Sequence, residues 1–144
     1  MILRRVLAFL VLSAPMAGRA TATEVQVQVL NVADAAGSVR VEVCPQAEWL
    51  KGCTLSAHAP AQAGITVVTV PDVPPGVYGV IAHHDSDDDG EVNRNLLGLP
   101  TEGIGFSRDA QIRLGPPRFG DAELRVEGQR VLVPITLHFE RARR

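Results

Sequence analysis

The sharpest chemical signal in the chain is a run of acids, Asp-Ser-Asp-Asp-Asp-Gly-Glu-Val-Asn-Arg-Asn-Leu, at residues 85–96. Asp85, Asp87 and Asp89 fall at the first, third and fifth places of a DxDxDG calcium loop, and Gly90 falls at its sharp turn. Glu91 stands where a backbone carbonyl would ligate, Val92 at the inward apolar place, and Asn93 at the ninth, often water-bridged, place. Five carboxylates within seven residues repel one another by roughly 1 kcal/mol per close pair even in water. A hard divalent cation taking six to eight oxygens relieves that repulsion and orders the loop. Calcium is therefore the expected cofactor. The departure is at the twelfth place, where Leu96 replaces the bidentate carboxylate of an EF-hand; Asn95 and Glu102 are the nearest substitutes. The competing reading is a solvated acidic turn, with Asp88 facing water.

The other reactive side chains offer less. Cys44 and Cys53 are the only cysteines, and their spacing matches neither CxxC redox chemistry nor a zinc knuckle, so they read as a structural disulfide. His83 and His84 are adjacent on an expected strand and should point to opposite faces, which stops them sharing one metal. Ser107 lies in Gly-Phe-Ser-Arg-Asp rather than a GxSxG elbow, and nothing marks a base for it. No phosphate loop or dinucleotide fingerprint is present. These features point away from an enzyme and give no catalytic residues.

The elements that must position the acidic loop read as strands. Val25, Val27 and Val29 alternate with glutamines, and Val39, Val41 and Val43 alternate with Arg40 and Glu42. Residues 65–70 (ITVVTV) form a β-branched run expected to be buried on both sides or twisted. Residues 77–84 follow a Pro74-Pro75-Gly76 entry that suits a type II turn, with Gly76 at positive φ. Ala122, Leu124 and Val126 alternate, and Val131, Val133, Ile135, Leu137 and Phe139 form the longest alternating face after a turn at 127–129. Pro134 removes a ladder donor, so that last strand should lie at an edge or carry a bulge. One short helix is expected at 45–51, with Pro45 at its start and Gly52 at its cap.

Seventeen valines against five aromatics in residues 23–144 favour a sheet core. Six or seven short strands imply an all-β fold, an antiparallel immunoglobulin-like or transthyretin-like β-sandwich. Residues 93–118 are the exception, a Gly/Pro-rich stretch with few strand signals that something must hold down.

Residues 1–22 read as a signal peptide: Arg4 and Arg5, an apolar run at 6–12, and a small-residue cleavage site at 20–22. The domain organisation is thus a leader at 1–22 and a single β-sandwich domain at 23–144. Removing Arg4, Arg5 and Arg19 leaves eleven basic and sixteen acidic residues, a charge of −5. That balance, with a whole-chain pI near 6.1, gives no footprint for nucleic acid. No apolar run is long enough to span a bilayer, so no membrane insertion is expected after cleavage. The expected location is periplasmic or secreted.

The run from Val73, VPPGVYGVIAHHDSDDDGEVNRNLLGLPTEGIGFS, continues into Gly-Pro-Pro-Arg-Phe-Gly-Asp-Ala at 115–122. This pattern resembles bacterial domain-of-unknown-function family 2141. The motifs are the PPG-x-Y entry, the Asp-rich loop, Asn95-Leu-x-Gly98-x-Pro100, Gly-Phe-Ser and Gly-Pro-Pro-x-Phe. The resemblance implies an exported β-sandwich without an assigned activity. Members often carry Asp near the ninth loop position, where this chain has Asn93. The expectation is an exported, non-catalytic module with an EF-like calcium loop. The alternatives are a periplasmic protein- or glycan-binding module and, third, a metal-dependent hydrolase.

Overall fold

The computed structural model describes residues 18, 21–98 and 100–139, so the leader reading at 1–22 lies almost wholly outside the described residues. The described residues form an all-β fold, with eight strands in two sheets: β1 Thr23–Val32, β2 Ser38–Cys44, β3 Leu55–Pro60, β4 Gly64–Val73, β5 Gly76–Asp85, β6 Ile104–Phe106, β7 Leu124–Val126 and β8 Arg130–Thr136. One sheet runs β4-β1-β8. The other runs β3-β2-β5-β6, and β7 joins the start of β5 on the edge that β6 takes farther along.

Period-two alternation builds the interface between the sheets. Val25, Val27 and Val29 of β1 and Val39, Val41 and Val43 of β2 are fully buried, while the residues between them face outward. Val68 and Val70, Tyr78, Val80 and Ala82, and Val133, Ile135 and Leu137 join them in one apolar cluster dominated by valine. The β-branched run at 65–70 is not buried on both sides: Thr66, Val68 and Val70 point inward while Ile65 and Val67 are about half exposed. It belongs to β4, an edge strand of the three-stranded sheet, whose outward side chains are left exposed.

Three further expectations are corrected. Every strand pair is antiparallel except β1 with β8, which run parallel from Glu24↔Arg130 to Leu30↔Thr136. Gly76 does not adopt positive φ; its open side faces the ring of Tyr78, which folds back so that its hydroxyl donates to the Pro74 carbonyl at 2.8 Å. The helix at 45–51 shortens to a 3₁₀ turn at Gln46–Glu48, and a four-residue helix, α1, occupies Phe119–Ala122. Pro134 lies on an edge strand, as its missing N–H requires.

Apart from β6, the stretch 93–118 is a cover over the outer face of the five-stranded sheet. Trp49, Ile81, Ile104, Phe106, Phe119 and Ala122 form a second apolar cluster there. Trp49 stacks edge-on against Phe119 and tilts over Phe106, and its indole N–H donates to the Pro117 carbonyl at 3.0 Å. Cys44 and Cys53 are joined in a disulfide that braces the 3₁₀ turn carrying Trp49. Ser107 is consumed structurally: its buried hydroxyl accepts from the Val80 N–H at 2.9 Å and donates to the Ala122 carbonyl.

Candidate metal-binding loop

β5 delivers Asp85 to the end of the sheet with its side chain fully buried. Its Oδ2 accepts from the Arg40 guanidinium and, at 2.9 Å, from the Gly90 N–H; its Oδ1 accepts from the Asp89 N–H at 3.1 Å. One carboxylate thus winds residues 86–90 around itself. The winding needs left-handed backbone at Asp88 and Gly90, at φ 56° and 84°. It also needs room for the preceding turn, and Gly37 supplies it, since a methyl there would strike the Asp85 carbonyl oxygen. Arg40 reaches Asp85 because β2 pairs with β5 in the register that sets Arg40 beside His83.

A second buried acid closes the base of the loop. Glu102 accepts the Ser86 N–H at 2.9 Å and the Ser86 hydroxyl at 2.8 Å on one oxygen, and the Asn93 N–H at 3.1 Å on the other. Thr101 adds a backbone bond to the Asn93 carbonyl at 2.8 Å. Burial pushes both carboxyl groups up, but the hydrogen bonds they accept outweigh it. Those to Arg40, Gly90 and Asp89 hold Asp85 below its ordinary pKa, and those to Asn93 and Ser86 do the same for Glu102.

Within this frame Asp85, Asp87 and Asp89 each present an oxygen, and these atoms all lie within 4.8 Å of one another. Oxygens that share an ion at 2.3–2.6 Å lie at most about 5 Å apart, so the three fit around one calcium. Asp85 Oδ1 has taken a single donor and keeps a lone pair for that purpose. Asp89 also accepts the Glu91 N–H at 2.8 Å, turning the chain at the seventh place, and Glu91 itself is exposed. The Asn93 amide donates to Asp87 at 2.9 Å and so orients it. Val92 packs inward against the second apolar cluster, as its place in the loop predicts.

Other expectations shift. Asp88 is exposed, yet it accepts a hydrogen bond from the Ser38 hydroxyl at 2.6 Å and ties the loop to β2. Leu96 is fully exposed, and Glu102 serves as the loop's anchor instead of standing with the three aspartates. His83 and His84 do diverge, both buried. The His84 Nε2 lies 2.7 Å from the Ala36 carbonyl, whereas the His83 Nε2 has no hydrogen-bond partner among the described residues. Burial pushes the His83 imidazole down, with nearby Asp85 and Glu102 opposing. A second grouping, Glu42 with Cys44 and Cys53, offers no thiolate because its sulfurs form the disulfide.

Spacing along the chain does not mark Arg40 and Glu102 as the partners that shape the loop. Only strand register brings Arg40 to Asp85, and only the return of the chain along β6 brings Glu102 to Ser86. No curated protein and no solved structure matches the chain. The family model described as an uncharacterized protein conserved in bacteria (DUF2141) matches residues 27–133. That match takes in all eight described strands at least in part, together with the acidic loop and its cover, and the chain belongs to this family.

Proposed function

We propose that the protein is an exported, non-catalytic module in which calcium pins the 85–93 loop against the sheet. The observation that carries the reading is the convergence of the Asp85, Asp87 and Asp89 carboxylates within 4.8 Å. The Glu91 carbonyl and Asn93 would complete the oxygen set, directly or through water. The disulfide is compatible with an oxidising compartment. The non-catalytic part rests on the fate of the reactive side chains: Ser107 is spent on backbone groups, and the adjacent histidines face apart.

Lacking a carboxylate at the twelfth place, the loop should bind at about 10⁻⁴ M or more weakly. At tenfold excess over that constant, calcium adds about 1.4 kcal/mol, a melting shift on the order of 3–5 °C for a domain of this size. Magnesium should do less, because it resists dehydration and demands a tighter octahedron. Asp87→Ala should abolish the shift and leave the sandwich folded. Asp87 is the residue to change because Asp85 also carries the loop's own hydrogen bonds. Titration calorimetry without heat, together with a melting temperature indifferent to chelator, would reduce the loop to a hydrogen-bonded acidic turn.

A further inference from the structure

Two turns of the cover place bare leucines beside arginines on one face. Leu96 and Leu114 are completely exposed, at 106% and 108%, and Leu97 is 82% exposed. The turn bearing Leu96 and Leu97 is closed by the Gly98 N–H donating to the Asn95 carbonyl at 2.9 Å. Arg94, Gly98 and Pro100, which flank that turn, line a groove whose far wall includes Leu50, Ile112, Arg113 and Leu114. Among the described residues, no acidic side chain lines it. The Arg94 guanidinium spends one nitrogen on the Gly98 carbonyl at 3.0 Å, which leaves donors of its planar fork for an external anion.

Single exposed leucines are ordinary, but leucines gathered on one rim are an interaction surface. Its charge runs against that of the molecule, which carries a net −2 overall. An anionic partner is favoured on that ground. The leucines' exposure narrows the choice further. Leu96 and Leu97 do not form part of the groove wall, so a ligand seated in the groove would leave them in water. A fluid acyl layer can close around protruding side chains while its headgroup phosphates meet the arginines.

We infer that this rim, Leu96, Leu97 and Leu114 with Arg94 and Arg113, docks the protein on the surface of an anionic lipid bilayer. No helix among the described residues is long and apolar enough to cross a membrane, so the contact is peripheral. It does not depend on calcium in the acidic loop.

Co-sedimentation of the exported protein with phosphatidylcholine vesicles, with and without phosphatidylglycerol and in the presence of chelator, tests it. Binding should require phosphatidylglycerol and weaken with salt. It should fall at least about tenfold in Leu96→Ser/Leu97→Ser and about fivefold in Arg113→Gln. Both variants should keep the wild-type melting temperature, because the changed side chains support nothing in the fold. Absence of binding by the folded wild type, or binding unaltered by the double leucine substitution, overturns the inference. A concentration-dependent dimer in sedimentation velocity, dissolved by the same substitution, would assign the rim to a second copy and overturn it equally. Because chelator is present throughout, failure here is separable from failure of the calcium reading.

Discussion

Asp85 and Glu102 do the same work from opposite sides of the acidic loop: each is a buried carboxylate that gathers backbone N–H groups the loop would otherwise leave unpaired. Glu102→Gln keeps the shape but puts an amide NH₂ where a donor already points, at Ser86 or at Asn93. The expected cost is about 1–3 kcal/mol, read from denaturant melts. The charge has a pH signature as well. Glu102 is held below its ordinary value of 4.5 in the folded chain, so the unfolded chain takes up the proton first as pH falls. Its contribution is complete above about pH 4.5 and is lost as pH drops through the depressed folded value. Melting temperatures in chelator between pH 6 and pH 3 should therefore fall less steeply for Glu102→Gln than for the wild type. The five acids of the loop were legible as a cluster because their spacing is local. Glu102 stood out only as a substitute for the twelfth ligand; its role as an anchor depends on where the approach to β6 brings it, six residues beyond the motif.

At the scale of elements, the cover is held by a pillar rather than by its own secondary structure. The disulfide fixes the turn at Gln46–Glu48, the turn presents Trp49, and Trp49 hydrogen-bonds Pro117 while packing on Phe106 and Phe119. Replacing both cysteines with serine should cost about 2–3 kcal/mol and loosen residues 107–118 more than the valine core, a difference that hydrogen exchange resolves. Two glycines mark how closely the layers approach. A methyl at Gly79 would collide with the Trp49 ring, which can shift, whereas one at Gly105 would meet the Thr136 carbonyl, which is backbone. Gly79→Ala should cost about 1–3 kcal/mol, and Gly105→Ala more than Gly79→Ala, both measured by thermal melts. Most strands were readable in advance because alternation of Val with polar residues is a property of each segment alone. Trp49 as a pillar, α1 and the short β6 were not. Each is made stable by what lies across from it, and none has a period long enough to announce itself.

For the whole molecule, the arrangement of β1 matters most. It is the central strand of its sheet, yet its two partners are β4 and β8, and the second comes from the far end of the chain. The Thr23 hydroxyl donates to the Gly128 carbonyl at 2.7 Å, and Glu24 pairs with Arg130 at 2.8 Å. Neither sheet face can be closed until the last strand arrives, a long-range pairing of the kind that slows folding. A chain shortened to end at Gly128 loses Val133, Ile135 and Leu137 from the core. It should show no cooperative unfolding transition by circular dichroism.

The parallel pairing of β1 with β8 also decides how the molecule answers a pull. Residue 23 leaves the ladder at one end and residue 136 at the other, separated by seven paired positions or about 20 Å of strand. Tension applied between the two ends of the domain draws the strands along each other, so the ladder bonds are strained together instead of opening one at a time. Under such a load this sheet behaves as a shear clamp. The domain should yield in single-molecule stretching as one abrupt event, at a force well above that needed when the handles are moved to the β3–β4 turn and a zipper is pulled instead.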